Sequence, residues 1–237
     1  MYVHVNAAVS VDGKLSSRRR EQVEISGADD FDRVDRIRAA ADAVLVGVGT
    51  VLADDPHLTL DEEDRRVQRL RDGRPGNPAR VVADSRARTP TDARILDDEA
   101  TTYLLVNDAA DPDRLDALRD AGAEIVSAGG DGSDGDDTGS EDGENAHAGR
   151  VDLRAAFDAL EREGIERVMV EGGGEVIFSL FEAGLVDELT VYVGSLVIGG
   201  RGAPTLADGE GFVDDFPELD LTDVERLDDG VQLSYET

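Results

Sequence analysis

Val168-Met169-Val170-Glu171-Gly172-Gly173-Gly174 carries an apolar strand straight into three glycines and then into a helical pattern. The same succession of short apolar run, turn residue and helix recurs along the 237-residue chain. Tyr2–Val11 alternates and is rich in valine, a strand that ends at the Asp12-Gly13 turn. Ser26 followed by Asp29 reads as a capping box for a helix whose stripe of Phe31, Val34, Ile37 and Arg38 runs to about Ala41. Ala43–Val48, Arg80–Ala83, Thr102–Val106, Glu124–Val126, Glu166–Val170 and Asp187–Val193 read as further strands. Asp111-Pro112 opens a helix that Gly122 closes, Asp152–Glu163 is a helix stopped by Gly164, and the helix after the triple glycine ends at Gly184. Residues 61–78 are charged and turn-rich, a surface excursion with about one helical turn. Leu219–Leu227 and Val231–Tyr235 flank Asp228-Asp229-Gly230 as a hairpin. Strands alternating with helices and closed by a hairpin give an α/β fold with a mixed sheet, expected as a single domain over residues 1–237.

Composition narrows the function. No cysteine is present, which excludes disulfides, a thiol nucleophile and Cys-ligated metal, and the three histidines (His4, His57, His147) offer no metal pair. No apolar run approaches the roughly 20 residues of a membrane span, and no signal-peptide pattern opens the chain, so a cytoplasmic protein is expected. Fifty-four acidic residues against 24 basic ones give a net charge of −30, and Lys14 is the sole lysine. That field repels nucleic acid and anionic membrane, so neither is an expected partner. Near-molar salt, with a Debye length of about 3 Å, removes most of the self-repulsion, which points to a high-salt cytoplasm. Residues 128–149 hold seven glycines and seven acids with no Val, Leu, Ile or Phe. Such a segment has nothing to bury and is expected as a solvated loop.

Two strand-to-helix turns have the form of phosphate cradles. Glycines at a helix N-terminus let a pyrophosphate approach backbone N–H groups that carry partial positive charge. One is Glu171-Gly172-Gly173-Gly174; the other lies within Leu45–Pro56 around Gly47 and Gly49. Neither matches G-x-G-x-x-G or a Walker loop, yet both sit where α/β sheets bind ligands. Ser85-Arg86, after a buried strand, suits a phosphate group, with a turn as the plainer reading. Lys14, beside Asp12-Gly13, reads as a lysine kept for its position or as a chance survivor. Asp54 caps a turn at Asp55-Pro56 or contacts a ligand, and Thr50 starts a helix or does the same. Val34, Ile37, Val168, Ile177, Leu180 and Phe181 sit at core periodicities.

The order Val9-Ser10-Val11-Asp12-Gly13-Lys14, Gly49-Thr50-Val51-Leu52-Ala53-Asp54-Asp55-Pro56 with Leu58-Thr59, Val82-Ala83-Asp84-Ser85-Arg86, Val170-Glu171-Gly172-Gly173 and Gly184-Leu185-Val186-Asp187-Glu188-Leu189 resembles the reductase domain of riboflavin biosynthesis. The resemblance spans the chain apart from residues 61–76 and the acidic segment. It implies a dihydrofolate-reductase-like, three-layer αβα fold with a mostly parallel sheet. The implied activity is reduction, by NADPH or also NADH, of the ribosyl group of a diaminopyrimidinone ribosylamine 5′-phosphate to a ribityl chain, with hydride delivered at C1′. The zinc deaminase domain of bifunctional relatives cannot be encoded without cysteine, so the stand-alone archaeal or fungal type is the expectation. The resemblance places Thr50, Asp54 and Ser85 at the dinucleotide and Gly172, Gly173, Gly174, Glu175 and Val176 at its pyrophosphate. Glu171 and Leu58 fall on the substrate side, with Lys14 beside them, and Glu171 is the candidate catalytic group, binding the pyrimidine or ribose or supplying a proton. Asp61 stands where bacterial relatives usually carry arginine, leaving Arg33, Arg65 and Arg66 as replacement cations for the substrate phosphate. A homodimer is also implied. The alternatives are a dihydrofolate or pterin reductase on the same fold, and a non-catalytic nucleotide- or phosphosugar-binding regulator.

Overall fold

A computed structural model describes residues 1–129 and 149–237. The strands are β1 (Tyr2–Ser10), β2 (Ala43–Gly47), β3 (Ala79–Ala83), β4 (Thr102–Val106), β5 (Ala123–Ser127), β6 (Arg167–Gly172), β7 (Glu188–Gly194), β8 (Asp220–Leu227) and β9 (Gly230–Glu236). They form one sheet in the order β5-β4-β3-β2-β6-β1-β7-β9-β8. Seven strands run parallel, and the terminal hairpin β8–β9 adds antiparallel to β7. Residue alternation divides the strands between two apolar layers. Ala43, Leu45, Val81, Leu105, Val168 and Val170 pack with helices α5 (Leu153–Arg162) and α6 (Gly174–Glu182). Val44, Val46, Val82, Leu104 and Val106 pack on the other face with Val48 and Val51 of α2 (Val48–Asp54) and Leu118 of α4 (Pro112–Asp120). A sheet apolar on both faces between helices is the expected three-layer fold.

Two expectations are corrected. Residues 61–78 contain a nine-residue helix, α3 (Glu63–Arg71), rather than a single turn. Its inward stripe consists of arginines, so apolar periodicity does not reveal it. Arg69 is 3 % exposed and caps the end of α1 (Ala28–Ala40), donating to the carbonyls of Ala39 at 2.8 Å and Ala41 at 2.7 Å. One turn earlier, Arg65 pairs with Asp35 and Asp32 of α1. The Ser26–Asp29 capping box does not form either. Gly27 is the N-cap of α1 without a side-chain bond, and the free N–H groups of Asp29 and Asp30 donate to the Asp228 carboxylate at 3.3 and 3.1 Å. The cap therefore comes from the β8–β9 turn, and it places a negative charge at the helix N-terminus where the dipole favours it.

Of the acidic segment 128–149, residues 130–148 lie outside the described residues. At its edges Ala128 is buried and Gly129 bridges Val151. No described helix is long and apolar enough to cross a membrane.

The Asp97 carboxyl, paired with the buried Arg80, experiences two opposed effects: burial raises it, while hydrogen bonds from Arg80 and from the Glu99 N–H hold it, on balance, below the ordinary value. Stability from this group is complete above the unfolded carboxyl range near about pH 4 and is lost as pH falls through the depressed folded value. The expected result is a melting temperature that falls in acid below roughly pH 4 less steeply in Asp97→Asn than in the parent. Parallel acid limbs in the two proteins would contradict it.

Candidate active site

Strand β2 passes into α2 with no intervening residue, and β6 reaches α6 through Gly173 alone. The pairing of these neighbours is irregular at their tips: Leu45 faces Val170, but Val46 faces Gly172. Glu171 is thus the extra residue of a β-bulge, a device that re-aims a side chain beside a site. The Gly172–Gly173 peptide is cis.

A cleft of about 1670 Å³ crosses this edge of the sheet, bordered by β1 at Asn6–Ala8, by α1, by both strand tips and by the loop after β3. Sites for a single small ligand hold about 300–1,000 Å³, so this one has room for two molecules side by side.

Glu171 points at α1. Arg38 clamps it as a fork, Nε donating to Oε1 at 2.5 Å and Nη2 to Oε2 at 2.7 Å, while Nη1 donates to the Thr59 carbonyl at 3.1 Å. The pair is largely buried, with side chains 18 % and 15 % exposed. Burial opposes the charge on Arg38, but Glu171 more than offsets it and raises the guanidinium above its ordinary value. A carboxylate in such a fork is an acceptor with lone pairs to spare, since its oxygens offer about four acceptor positions. That arrangement suits binding of N–H and O–H donors.

The glycines divide by role. Gly172 has φ +124°, open to glycine alone, and a Cβ there would meet nothing within 4 Å. At Gly173 a Cβ would meet only Thr50 Oγ1, at 3.8 Å. These two open onto free space. Gly174 is a packing glycine instead, because a Cβ there would run into the Thr205 carbonyl oxygen. Gly173 is the N-cap of α6, and among the described residues no side chain satisfies the Gly174 and Glu175 N–H groups that open the helix, so these two are available to an anion.

The cleft brings together Thr50, Asp54, Ser85, Glu171, Gly172, Gly173, Gly174, Glu175 and Val176. Loss of hydration in the cleft raises the Asp54 carboxyl above its ordinary value. Three expected site residues lie elsewhere. Arg86 is exposed outside the lining, whereas Arg88 borders the cleft. Leu58 is 4 % exposed, at φ +54°, in the apolar layer behind α2. Lys14 sits outside the lining, its Nζ donating to the Ala203 carbonyl at 3.4 Å and its backbone bridging Thr205. The neighbouring Leu15 and Ser16 do line the cleft, so Lys14 fastens the strap that carries them.

The three candidate phosphate cations are already engaged. Arg33 pairs with Asp30 at 2.7 Å and donates to Asn6, Arg65 pairs with Asp35, and Arg66 pairs with Glu63 at 2.7 Å. None of the three borders the cleft, where the cations are Arg20, Arg38, Arg88, Arg150 and Arg154. Phe31 and Val34 also face the cleft, Phe31 being 53 % exposed, and neither is a core residue. Their spacing with Arg38 puts all three on one helical face, the stripe that sequence periodicity reads as core.

Fold and cleft together define a dihydrofolate-reductase-like α/β protein with a glycine-lined cleft at adjacent strand tips. The pyrimidine reductase-like protein of Corynebacterium diphtheriae matches with a TM-score of 0.79 at 20 % identity, over 99 % of this chain and 91 % of that one. The Thermotoga maritima deaminase/reductase matches with a TM-score of 0.71 at 21 % identity, over 99 % of this chain and 56 % of that one. The chain belongs to the RibD C-terminal domain family, which it matches over residues 1–233. The 2,5-diamino-6-ribosylamino-4(3H)-pyrimidinone 5′-phosphate reductase of Archaeoglobus fulgidus is 42 % identical over 229 residues, covering 97 % of this chain and 94 % of the relative. The reductase of the same name from Methanothermobacter thermautotrophicus is 44 % identical over 211 residues, covering 89 % and 85 %.

Proposed function

We infer that this protein is a riboflavin-biosynthesis reductase that converts the ribosyl group of 2,5-diamino-6-ribosylamino-4(3H)-pyrimidinone 5′-phosphate into a ribityl chain. The observation that carries this reading is the placement of the Arg38–Glu171 fork beside the open glycine cradle, in a chain that aligns with both archaeal reductases nearly end to end. Reduced nicotinamide coenzyme, NADPH with NADH as an alternative, supplies a hydride to C1′ of the ring-opened sugar. Gly172, Gly173 and the first N–H groups of α6 hold its pyrophosphate, with Thr50 and Val176 alongside and the exposed Glu175–Arg20 pair, 3.6 Å apart, at the rim. Glu171 accepts hydrogen bonds from the substrate, and Phe31 and Val34 cover its ring. Asp54, whose carboxyl is raised by loss of hydration, lines the same cleft and contacts the dinucleotide. No nucleophile is required, so the contribution of the chain is to bring the two reactants into near-attack geometry.

The test is the purified protein in concentrated KCl with the ribosylamine phosphate and NADPH, following loss of the reduced-nicotinamide absorbance and appearance of the ribityl product. Turnover of dihydrofolate alone would overturn the assignment, as would coenzyme binding without oxidation.

The net charge of −30 supports the cytoplasm of a high-salt cell as its setting. With a net charge of −30, the melting temperature is expected to rise as KCl goes from roughly 0.1 M to about 1 M and the Debye length contracts from about 10 to 3 Å. A flat or falling curve rejects salt adaptation. A homodimer accords with the exposed Leu221 and Val224 on the edge strand β8.

A further inference from the structure

Helix α1 forms one wall of the cleft through Phe31, Val34 and Arg38, yet no apolar side chain anchors it. Its buried residues are Asp30 and Asp35, both charged, while Val34 and Ile37 are only half-buried. A helix on a sheet ordinarily takes its position from an apolar stripe. Here polar ties set it. Those of the C-terminal half run to residues 59–74 and not to the sheet. Asp35 accepts from Arg65 at 2.6 Å and from the Asp61 N–H at 2.7 Å, and Arg69 and Arg74 hold the carbonyls at the end of the helix. The sheet is reached through Arg38 to Glu171 on β6, through Arg33 Nη2 to Asn6 Oδ1 on β1 at 2.8 Å, and through Asp228.

Asp228 lies 198 residues from Asp30 in sequence, in the turn between β8 and β9. The approach of this turn to α1 is close by construction. A Cβ on Gly27, the N-cap, would stand 2.7 Å from the Asp228 carboxyl carbon, so glycine is what lets the two meet. The turn is also fixed from behind. Tyr192, completely buried on β7, donates its hydroxyl to Asp229 Oδ1 at 3.2 Å, and Ser195 donates to the Asp229 carbonyl. A Cβ on Gly230 would meet the Tyr192 hydroxyl and the Val193 carbonyl oxygen, both at 2.5 Å. A helix capped by its own residue can tilt and keep its cap. One capped from the sheet cannot.

We propose that Asp228 is a positioning residue for the substrate side of the cleft: seated on β7 and capping α1 from outside the helix, it sets how far Phe31 and Val34 stand from Glu171. The proposal rests on the reductase reading, which puts the pyrimidine against this wall.

The experiment measures kcat and KM for the ribosylamine phosphate and for NADPH, with melting temperatures, in concentrated KCl. It compares the parent, Asp228→Gly, Asp228→Asn and the double variant Asp228→Gly/Gly27→Ser. Asp228 has φ +50°, so glycine and asparagine both suit the turn. Removing the carboxylate also clears the space that a Cβ at residue 27 needs. Serine there, in the extended conformation an N-cap takes, restores a cap from within the helix. Asp228→Gly is expected to melt earlier and to raise KM for the ribosylamine phosphate about 2- to 30-fold, the range of a lost N-cap, with KM for NADPH unchanged. Asp228→Asn keeps one acceptor and shows a smaller rise. The double variant recovers the melting temperature but not KM, because its cap no longer joins α1 to β7. Recovery of KM in the double variant would reduce Asp228 to a helix cap and overturn the proposal. An unchanged KM in Asp228→Gly, or an equal rise for both reactants, overturns it as well, and in each case the reductase reading stands. A parent that does not turn over the ribosylamine phosphate defeats the reductase reading itself and removes the proposal with it.

Discussion

Glu171→Gln is expected to lower turnover about 10- to 150-fold with the secondary structure intact, as a charge-assisted acceptor worth about 1.5–3 kcal/mol is lost. Glutamine keeps the shape but turns an amino group toward a guanidinium that is only 18 % exposed, so the variant also melts earlier. Breaking a fully buried pair costs about 3–5 kcal/mol; residual exposure of both partners brings this one to about 1–3 kcal/mol. Arg38→Met leaves the carboxylate in place without its clamp and is expected to lose turnover too, although Arg38 has no partner role in hydride transfer. The double variant separates clamp from contact. If Arg38 acts through Glu171, the double variant costs less than the sum of the single ones, whereas additive losses would contradict the fork as one unit.

Arg80→Met is expected to have the largest effect on stability, about 3 kcal/mol or more, and a melting temperature about 6–12 °C lower for a domain of this size. Arg80 is completely buried at the base of β3. Its Nη1 donates to the Ile95 carbonyl at 2.8 Å, with the carbonyls of Asp97 and Ala100 at 3.3 and 3.5 Å, and its Nη2 pairs with the Asp97 carboxylate at 2.7 Å. Methionine fills the volume but strands those acceptors. The loss also reaches the site. The loop that Arg80 ties down carries Arg94, whose N–H donates to Asp55 at 2.9 Å and whose Nε donates to His57 at 2.8 Å. Asp55, at φ +42°, ends α2 directly after Asp54. Thermal denaturation in concentrated KCl reads the first effect and calorimetry with NADP⁺ reads the second. An unchanged melting temperature would show that the buried guanidinium carries no net stabilisation.

Much of the molecule is legible before any coordinates. The apolar runs at 43–47, 79–83, 102–106 and 167–170 are strands because each is too short and too apolar to be anything but covered on both sides. Asp111-Pro112 caps α4 through Asp113 N–H, Asp152 caps α5 through Ala155 N–H, and Asp228–Gly230 turns the last hairpin. Local chemistry suffices for all three. Where reading failed, the deciding partner lay far away in sequence. The α3 helix is invisible to apolar periodicity because Arg65 and Arg69 carry its buried face. The α1 stripe of Phe31 and Val34 has core spacing yet faces a cleft, since spacing fixes which residues share a side but not what that side meets.

For the site, the strand-tip glycines and the acid before them were visible in the chain as a turn that only a ligand or tight packing would require. Which glycine serves which purpose was not: Gly172 and Gly173 open onto space and Gly174 onto the Thr205 carbonyl, a distinction made by a strap some 30 residues further on. Likewise the position of Arg88 on the cleft and of Arg86 outside it, the engagement of Arg33, Arg65 and Arg66, and the Arg38 clamp on Glu171 depend on contacts across the fold. Alternation, caps and turns are set by neighbours within a few residues, so the order of amino acids determined the succession of strands and helices and the position of the glycine turn. A charge finds its partner through space, and twenty-three arginines facing fifty-four acids allow many pairings. Only the tertiary structure decided which of them hold the protein together and which remain for a ligand.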